Sequence, residues 1–465
     1  MPVLIVPVES QVRELDAKLL LACAAAERGF TVILGSRTYV NFAMPFLERG
    51  VFLAKSLRSI SKLMLNFIVD LGHQVVAWDE ESLVRFSSPE YYPWRYSEET
   101  FRALRHLFAW GPDDAAFFKG YSGYPGTPIH VTGNPRIDLL RREMREFFSD
   151  DAARLRSQYG DFILINTNFS FVNNFVPALN LMQPAGAGGR AEVSRTGRGL
   201  SREFAQGMAA HQGIICEYFR MLMPRLAQWF PNRQIILRPH PSENHEFWKS
   251  LLSTYRNVHV LHEGSVVPWL MACRVLIHNG CTTAVEAAML DCPAITFQPV
   301  MSASYDYRLP NSLSHVATTI DEVLAIADDV LNGTTGPLDE SIRQGIFAQH
   351  LVGATGRLSV DRCVDVLEAA GYARDPLPRP RRARHAVAWV GANLRTLVKR
   401  VNRLRPGHRN SAAYHDHRFP GISAAQINER IARFGRLLGR FAQVSAEPLS
   451  PHIFRIRPEQ EGPWT

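Results

Sequence analysis

Cysteine is sparse in this chain of 465 residues: Cys23, Cys216, Cys273, Cys281, Cys292 and Cys363 lie scattered and form no Cys-x-x-Cys pair. That excludes a disulfide-stapled scaffold and zinc-finger spacing, and it points to a reducing, cytoplasmic setting. Long apolar runs are missing too. Nothing approaches the roughly 18 consecutive apolar residues of a membrane-spanning helix, so none is expected. The first residues, Met1-Pro2-Val3-Leu4-Ile5-Val6-Pro7, lack the basic segment and small-residue cleavage site of a signal peptide and read as a strand. There is no internal repeat, no low-complexity tract and no cluster with metal-ligand spacing, which leaves solenoids and metal centres unsupported.

What is present describes an ordinary globular protein, 46% apolar and 21% charged. The length calls for two to three domains. The formal net charge of +8 is uneven. Residues 374–465 carry 18 Lys and Arg against 6 Asp and Glu, leaving 34 against 38 before them. The basicity belongs to a tail.

Strand and helix patterns alternate from the start. Val3–Pro7 reads as a strand, Arg13–Arg28 as a helix closed by Gly29, and Thr31–Leu34 as the next strand. Further strands are expected at Gln74–Trp78, His106–Trp110 and Ile129–Val131, before Gly133-Asn134-Pro135-Arg136. A second series begins at Phe162–Asn166 and continues through Gln234–Leu237, Val258–Leu261, Arg274–Ile277, Ala294–Phe297 and His315–Thr318. Such an order implies parallel sheets covered by helices. The expected organisation is an α/β domain over 1–140, a helical connector over 141–160 and a second α/β domain over 161–370. A basic helical tail over 371–465 completes the chain. The second domain carries a glycine-rich insertion at 168–202, read either as a surface loop or as an acceptor-binding lid.

Two segments hold most of the chemistry. Leu237-Arg238-Pro239-His240-Pro241-Ser242-Glu243 follows a strand, and the flanking prolines stiffen His240. A guanidinium and an imidazole there suit a phosphate. His278-Asn279-Gly280-Cys281-Thr282-Thr283-Ala284-Val285-Glu286 follows another strand and opens a helix. Two hydroxyls behind a glycine make a phosphate seat, with Glu286 accepting from ribose hydroxyls. Thr283-x-x-Glu286 equally matches a capping box, so helix stability alone can explain both residues. Ligands bind at the carboxyl ends of strands in such sheets.

In the first half, Asp79, Glu80 and Glu81 end a strand; one of them is a candidate general base or nucleophile, against the plainer reading of a solvated loop. Glu9, Arg13 and Asn134 are further cleft candidates; Glu14, beside Arg13 near a helix start, can also face the cleft, while with Lys18 it reads equally as an i,i+4 surface pair.

Taken in order, Glu9 with Arg13-Glu14-Leu15-Asp16-Ala17-Lys18, Gly29 and Gly35, then Asp79-Glu80-Glu81, Gly133-Asn134-Pro135, Arg238-Pro239-His240-Pro241 and Gly280 with Thr282-Thr283 and Glu286-Ala287, resemble the surface carbohydrate biosynthesis protein family. That family is similar to GT-B glycosyltransferases. The resemblance covers roughly residues 1–370 and implies two facing Rossmann-like domains. Its His-Pro and hydroxyl motifs are similar to those of bacterial CMP-sugar users, sialyltransferases and 3-deoxy-octulosonate transferases, and of CDP-glycerol polyol-phosphate transferases. It implies that His240, Thr282 and Thr283 contact the donor phosphate, and that an acidic residue among Asp79–Glu81 activates the acceptor. Ser82 stands where such motifs have glycine, and Thr-Thr where serine is common. The expected activity is metal-independent glycosyl transfer from a nucleotide-sugar to a glycan or lipid-linked glycan, with no bound cofactor. The rivals are a CDP-polyol phosphotransferase, a UDP-sugar 2-epimerase and an inactive scaffold.

In the tail, Arg379, Arg381, Arg382, Arg384, Arg395, Lys399, Arg400, Arg403 and Arg405 accompany an apolar stripe of Val387, Trp389, Val390, Leu394, Leu397, Val398 and Val401. Such a helix over 379–405 either lies on the inner face of an anionic membrane or packs on the acidic body. Nucleic acid is not expected as a partner, because no recognition module accompanies the charge.

Overall fold

The computed structural model describes residues 2–184, 191–406, 408 and 410–458. Its strands are β1 (Val3–Val8), β2 (Thr31–Ser36), β3 (Val51–Ala54), β4 (Gln74–Ala77), β5 (His106–Ala109), β6 (Ile129–Val131), β7 (Ile163–Thr167), β8 (Met182–Gln183), β9 (Glu192–Val193), β10 (Ile235–Pro239), β11 (Val258–Val260), β12 (Val275–His278), β13 (Ala294–Phe297), β14 (His315–Ala317), β15 (Val444–Ser450) and β16 (Ile453–Pro458). The chain divides into two compact units. One comprises Met1–Glu80, Tyr96–Phe147 and Phe347–Thr465; the other comprises Glu81–Arg95 and Phe148–Ile346.

The first unit holds a sheet in the order β15-β16-β2-β1-β3-β4-β5-β6. Strands β1 to β6 run parallel. Every residue of β1 is buried, as expected of a central parallel strand covered on both faces. Helix Gln11–Glu27 packs on it with an alanine-rich side, Ala22 to Ala26 being wholly buried. Strand order reverses at β1, which has β2 on one side and β3 on the other.

The second unit holds a parallel sheet in the order β11-β10-β7-β12-β13-β14. Its core joins Ile163, Ile165, Leu237, Ile277 and Ile295 to Phe219, Leu222 and Leu226 of the long helix Arg202–Trp229. Here the order reverses at β7, between β10 and β12. In open α/β sheets a reversal leaves a crevice at the carboxyl ends of the strands.

The expected strands are present, with three departures. Strand β3 is not legible in the sequence, because four apolar residues after Arg49-Gly50 fit a strand or a buried helix equally well. The tail is not all helix. Its end forms the antiparallel hairpin β15–β16, and β16 extends the first sheet along β2. Pro448 lies in β15, the edge strand, where a missing N–H is tolerated. The range 347–370 joins the first unit rather than the second. The Asp138 carboxylate accepts from the backbone N–H of Ser359 and Val360 at 2.7 and 2.9 Å, tying helix Ser359–Ala369 to the short helix Pro135–Asp138 of the first unit.

Residues 185–190 of the expected glycine-rich insertion lie outside the described residues. The rest of it is folded. β8 pairs with β9, Leu181 and Val176 are buried, and the Thr196 carbonyl accepts from Trp94 Nε1 at 2.9 Å.

Candidate functional site

At the reversal in the second unit, Asn166 on β7 lies in register with Arg238 on one side and His278 on the other. The two motif loops therefore flank one strand end. This juxtaposition is what sequence spacing alone could not give.

The His240 loop is held from beneath by Glu243, the last residue of the same segment, to which the sequence pattern assigns no role. Its fully buried carboxylate accepts from the His240 N–H (3.0 Å), the Phe169 N–H (3.0 Å), the Thr167 hydroxyl (3.0 Å) and Trp248 Nε1 (3.1 Å). Burial raises its pKa against the pull of those donors. From the side, Phe175 N–H donates to the Ser242 carbonyl at 2.8 Å and Asn244 N–H to the Asn173 carbonyl at 2.9 Å. Within the loop the Ser242 N–H donates to His240 Nδ1 at 3.1 Å, so the neutral imidazole carries its proton on Nε2.

Arg238, expected at the donor phosphate, is engaged with a neighbouring loop. Its guanidinium is buried, donates to the carbonyls of Glu263 (2.7 Å) and Gly264 (3.0 Å), and stacks 4.8 Å from the Trp269 ring. Two of its N–H donors are thus committed to that loop, which it braces.

The second loop repeats the histidine device. The Gly280 N–H donates to His278 Nδ1 at 2.9 Å, while His278 Nε2 meets the Ser314 hydroxyl at 2.8 Å. Burial holds His278 near a pKa of about 3, hence neutral. Asn279 clamps the end of β7: its Oδ1 accepts from the Asn168 N–H at 2.9 Å and its Nδ2 donates to the Asn168 carbonyl at 3.3 Å. Gly280 has φ +82°, and a Cβ there would stand 3.2 Å from Asn311 Oδ1 and 3.5 Å from the Tyr307 ring.

The capping box does not form. The helix runs Thr283–Met289 with Thr282 as N-cap, and no side chain caps it. Thr282 is half-buried, and Thr283 and Glu286 are buried. Asn166 Nδ2 reaches Thr283 Oγ1 at 3.5 Å, while Asn166 Oδ1 is buried without a hydrogen-bond partner among the described residues.

Of the three consecutive carboxylates, Asp79 is 0% exposed and Glu80 3%. Glu81 is half-buried and belongs to the second unit. It acts electrostatically on Tyr307, the ring that would flank a side chain at Gly280. Burial, then Glu81, raise the Tyr307 pKa.

The first unit collects a second polar cluster at the carboxyl ends of β1, β3 and β4. Lys18 Nζ contacts Glu14 Oε2 (2.8 Å), Glu80 Oε1 (3.3 Å) and the Pro7 carbonyl (2.8 Å). Lys55 joins Glu14 (3.0 Å) to Glu9 (2.5 Å), and Glu9 also pairs with Arg37 (2.7 Å) and Arg418 (2.5 Å). Trp78 Nε1 donates to Glu80 Oε1 at 2.7 Å. Glu14 and Lys18, expected as a surface pair, are both buried. Burial by itself would raise the carboxyls of Glu14 and Glu9. The cations outweigh it and hold both well below the ordinary value, Lys18 and Lys55 acting on Glu14, and Arg37, Arg418 and Lys55 on Glu9. Arg13 is half-buried in the first turn of Gln11–Glu27. Asn134 is buried and caps the short helix Pro135–Asp138 by accepting from Arg136 N–H at 3.0 Å. Among the described residues no group of three or more His, Cys, Asp and Glu is arranged to hold a metal ion.

The architecture is α/β in both units. Two parallel α/β units follow one another, each with a strand-order reversal, and the chain returns to the first unit at its end. No family model and no curated protein matches the sequence. Among solved structures, the chain is similar to the wall teichoic acid polymerase TagF with CDPG (10% identity, 79% of this chain and 88% of that one, TM-score 0.49). It is similar to S. aureus MnaA with UDP (11%, 82% and 100%, 0.48). A third is the Methanocaldococcus jannaschii UDP-GlcNAc 2-epimerase with UDP-GlcNAc and UDP (13%, 79% and 100%, 0.47). All three likenesses are distant.

Proposed function

We propose that this protein is a glycosyltransferase of surface polysaccharide synthesis, moving a sugar from a nucleotide-activated donor to a glycan hydroxyl. The CMP donor is carried by the resemblance of the His-Pro and hydroxyl motifs. The observation that supports the reading best is the convergence of His240, Asn166, Thr282 and Thr283 on one strand-order reversal. His240 donates from Nε2 to a donor phosphate oxygen, and the two threonine hydroxyls add donors. Charge growing on the departing nucleotide then meets dipoles already fixed in place, which is where such sites do most of their work. Ser242, Glu243, Gly280 and Asn279 set the loops. Glu81, the least buried of its triplet, takes the acceptor proton. Glu286 serves the nucleoside hydroxyls. No resident metal or cofactor is invoked.

Incubation with CMP-, CDP-, UDP- and GDP-linked donors and a glycan acceptor, followed by mass analysis, tests this. Expected is a product lengthened by one sugar with no added phosphate, formed only when acceptor is present. His240→Ala and Thr283→Ala are each expected to slow transfer by about 10²–10³. A product retaining the donor phosphate overturns the glycosyl reading in favour of phosphodiester transfer. Turnover without acceptor overturns it in favour of an epimerase. Nucleotide binding without any turnover leaves a scaffold.

A further inference from the structure

Helix Arg382–Arg403 rests on the first unit by its narrow side. Ala388, Ala392 and Thr396 are buried, and Gly391 lies so close to Phe67 that a Cβ would come within 2.9 Å of its ring. Small residues thus set the helix down on helix Lys62–Asp70. The opposite side is the apolar stripe. Val387, Val390, Leu394, Leu397, Val398 and Val401 are each more than half exposed, and Leu404, just past the helix, is 83% exposed. Trp389 is 40% exposed and touches Phe46, itself 68% exposed, with ring centroids 6.1 Å apart. Leu63, on the helix beneath, is exposed as well. An amphipathic helix that serves only its own fold turns its apolar stripe inward. This one is the other way round.

The charge pattern says what covers the stripe. At about 100° per residue, Arg382 and Arg400 fall on one flank of the stripe and Arg384 on the other. All three are exposed, as are Arg379, Arg381 and Arg405. The helix carries no carboxylate. An apolar strip flanked on both sides by guanidinium groups matches an acyl layer beneath phosphate headgroups, with the arginine stems reaching up from the boundary. A protein partner of matching chemistry would need a rim of carboxylates around an apolar groove, and a second copy of this helix has none.

We propose that the outward face of Arg382–Arg403, with Trp389 and Phe46, docks the protein on an anionic phospholipid bilayer. The helix lies in the plane of the interface rather than crossing it, since no helix among the described residues is long and apolar enough to span.

Co-sedimentation of the full chain with vesicles tests this. Expected is binding to vesicles of phosphatidylcholine mixed with phosphatidylglycerol and little to phosphatidylcholine alone, weakening as salt rises. Leu394→Asp with Leu397→Asp is expected to reduce binding at least tenfold, and each of Arg382→Glu and Arg384→Glu by roughly fivefold or more. These positions are exposed, so the thermal transition should stay where it is. Brominated lipid should quench tryptophan emission in the parent more than in Trp389→Phe. The proposal is overturned by binding equally to both vesicles or to neither, or by binding that survives the Leu394/Leu397 change. It is also overturned by a dimer in sedimentation velocity that the Leu394/Leu397 change dissolves, which would make a second copy the occupant.

Discussion

His240 and His278 share one device, a ring Nδ1 that accepts a backbone N–H two residues along, yet they have opposite fates. His278 is sealed and neutral, a peg that shapes the Gly280 turn. His240 is half-buried, with its proton directed to the other nitrogen. His278→Ala should therefore lower stability while His240→Ala should leave it nearly unchanged and abolish nucleotide binding; paired thermal unfolding with and without nucleotide distinguishes them. In the first unit, Glu14→Gln leaves Lys18 and Lys55 short of a buried counter-charge, a change that typically costs about 3–5 kcal/mol. The pH dependence has a definite sign. Glu9 and Glu14 have depressed folded values, so the stability they contribute is present above the ordinary carboxylate range. It is lost as pH falls through that range towards their folded values. Urea midpoints between neutral and acid pH should fall in the parent and fall less steeply in Glu14→Gln. The roles of these residues were only half legible in sequence. A Glu and a Lys four apart look the same whether exposed or buried, and nothing in Arg-Pro-His-Pro says that the guanidinium turns to carbonyls 25 and 26 residues on.

The elements were easier to read than the residues. Parallel strands buried on both faces show as short apolar runs, and the loops that follow them mark the carboxyl edges. What spacing could not reveal was order within the sheet: that β10 and β12 both flank β7, although they begin at Ile235 and Val275 and β7 ends at Thr167, depends on crossovers. The glycine in the second loop carries a testable demand. Gly280→Ala places a Cβ in the left-handed region close to Asn311 Oδ1, and should cost roughly 1–2 kcal/mol while loosening the donor site. The hairpin at the end of the chain covers β2, and Ile453, Phe454 and Ile456 are buried there. Removing residues 444–458 should uncover a parallel sheet edge and an apolar face, seen as aggregation in size-exclusion chromatography.

At the scale of the molecule, the same plan is used twice. Each unit gathers its polar side chains at the carboxyl ends of strands beside the reversal in strand order. In the first unit they neutralise one another in a buried network that Arg418, from the tail, helps to close. In the second unit they end in the half-buried His240 imidazole, the hydroxyls of Thr282 and Thr283, and Asn166, whose Oδ1 alone of these groups is a buried atom without a hydrogen-bond partner among the described residues. The proposed donor phosphate site lies in the second unit, where His240 and the two threonines converge beside the strand-order reversal. Calorimetric or thermal-shift titration with CMP, CDP, UDP and GDP, on the parent and on His240→Ala, tests it most directly. Expected is stabilisation of the parent by one pyrimidine nucleotide, about 2.7 kcal/mol at a hundredfold excess over Kd, and none in His240→Ala. Stabilisation of both proteins alike, or of neither by any of the four, would contradict it.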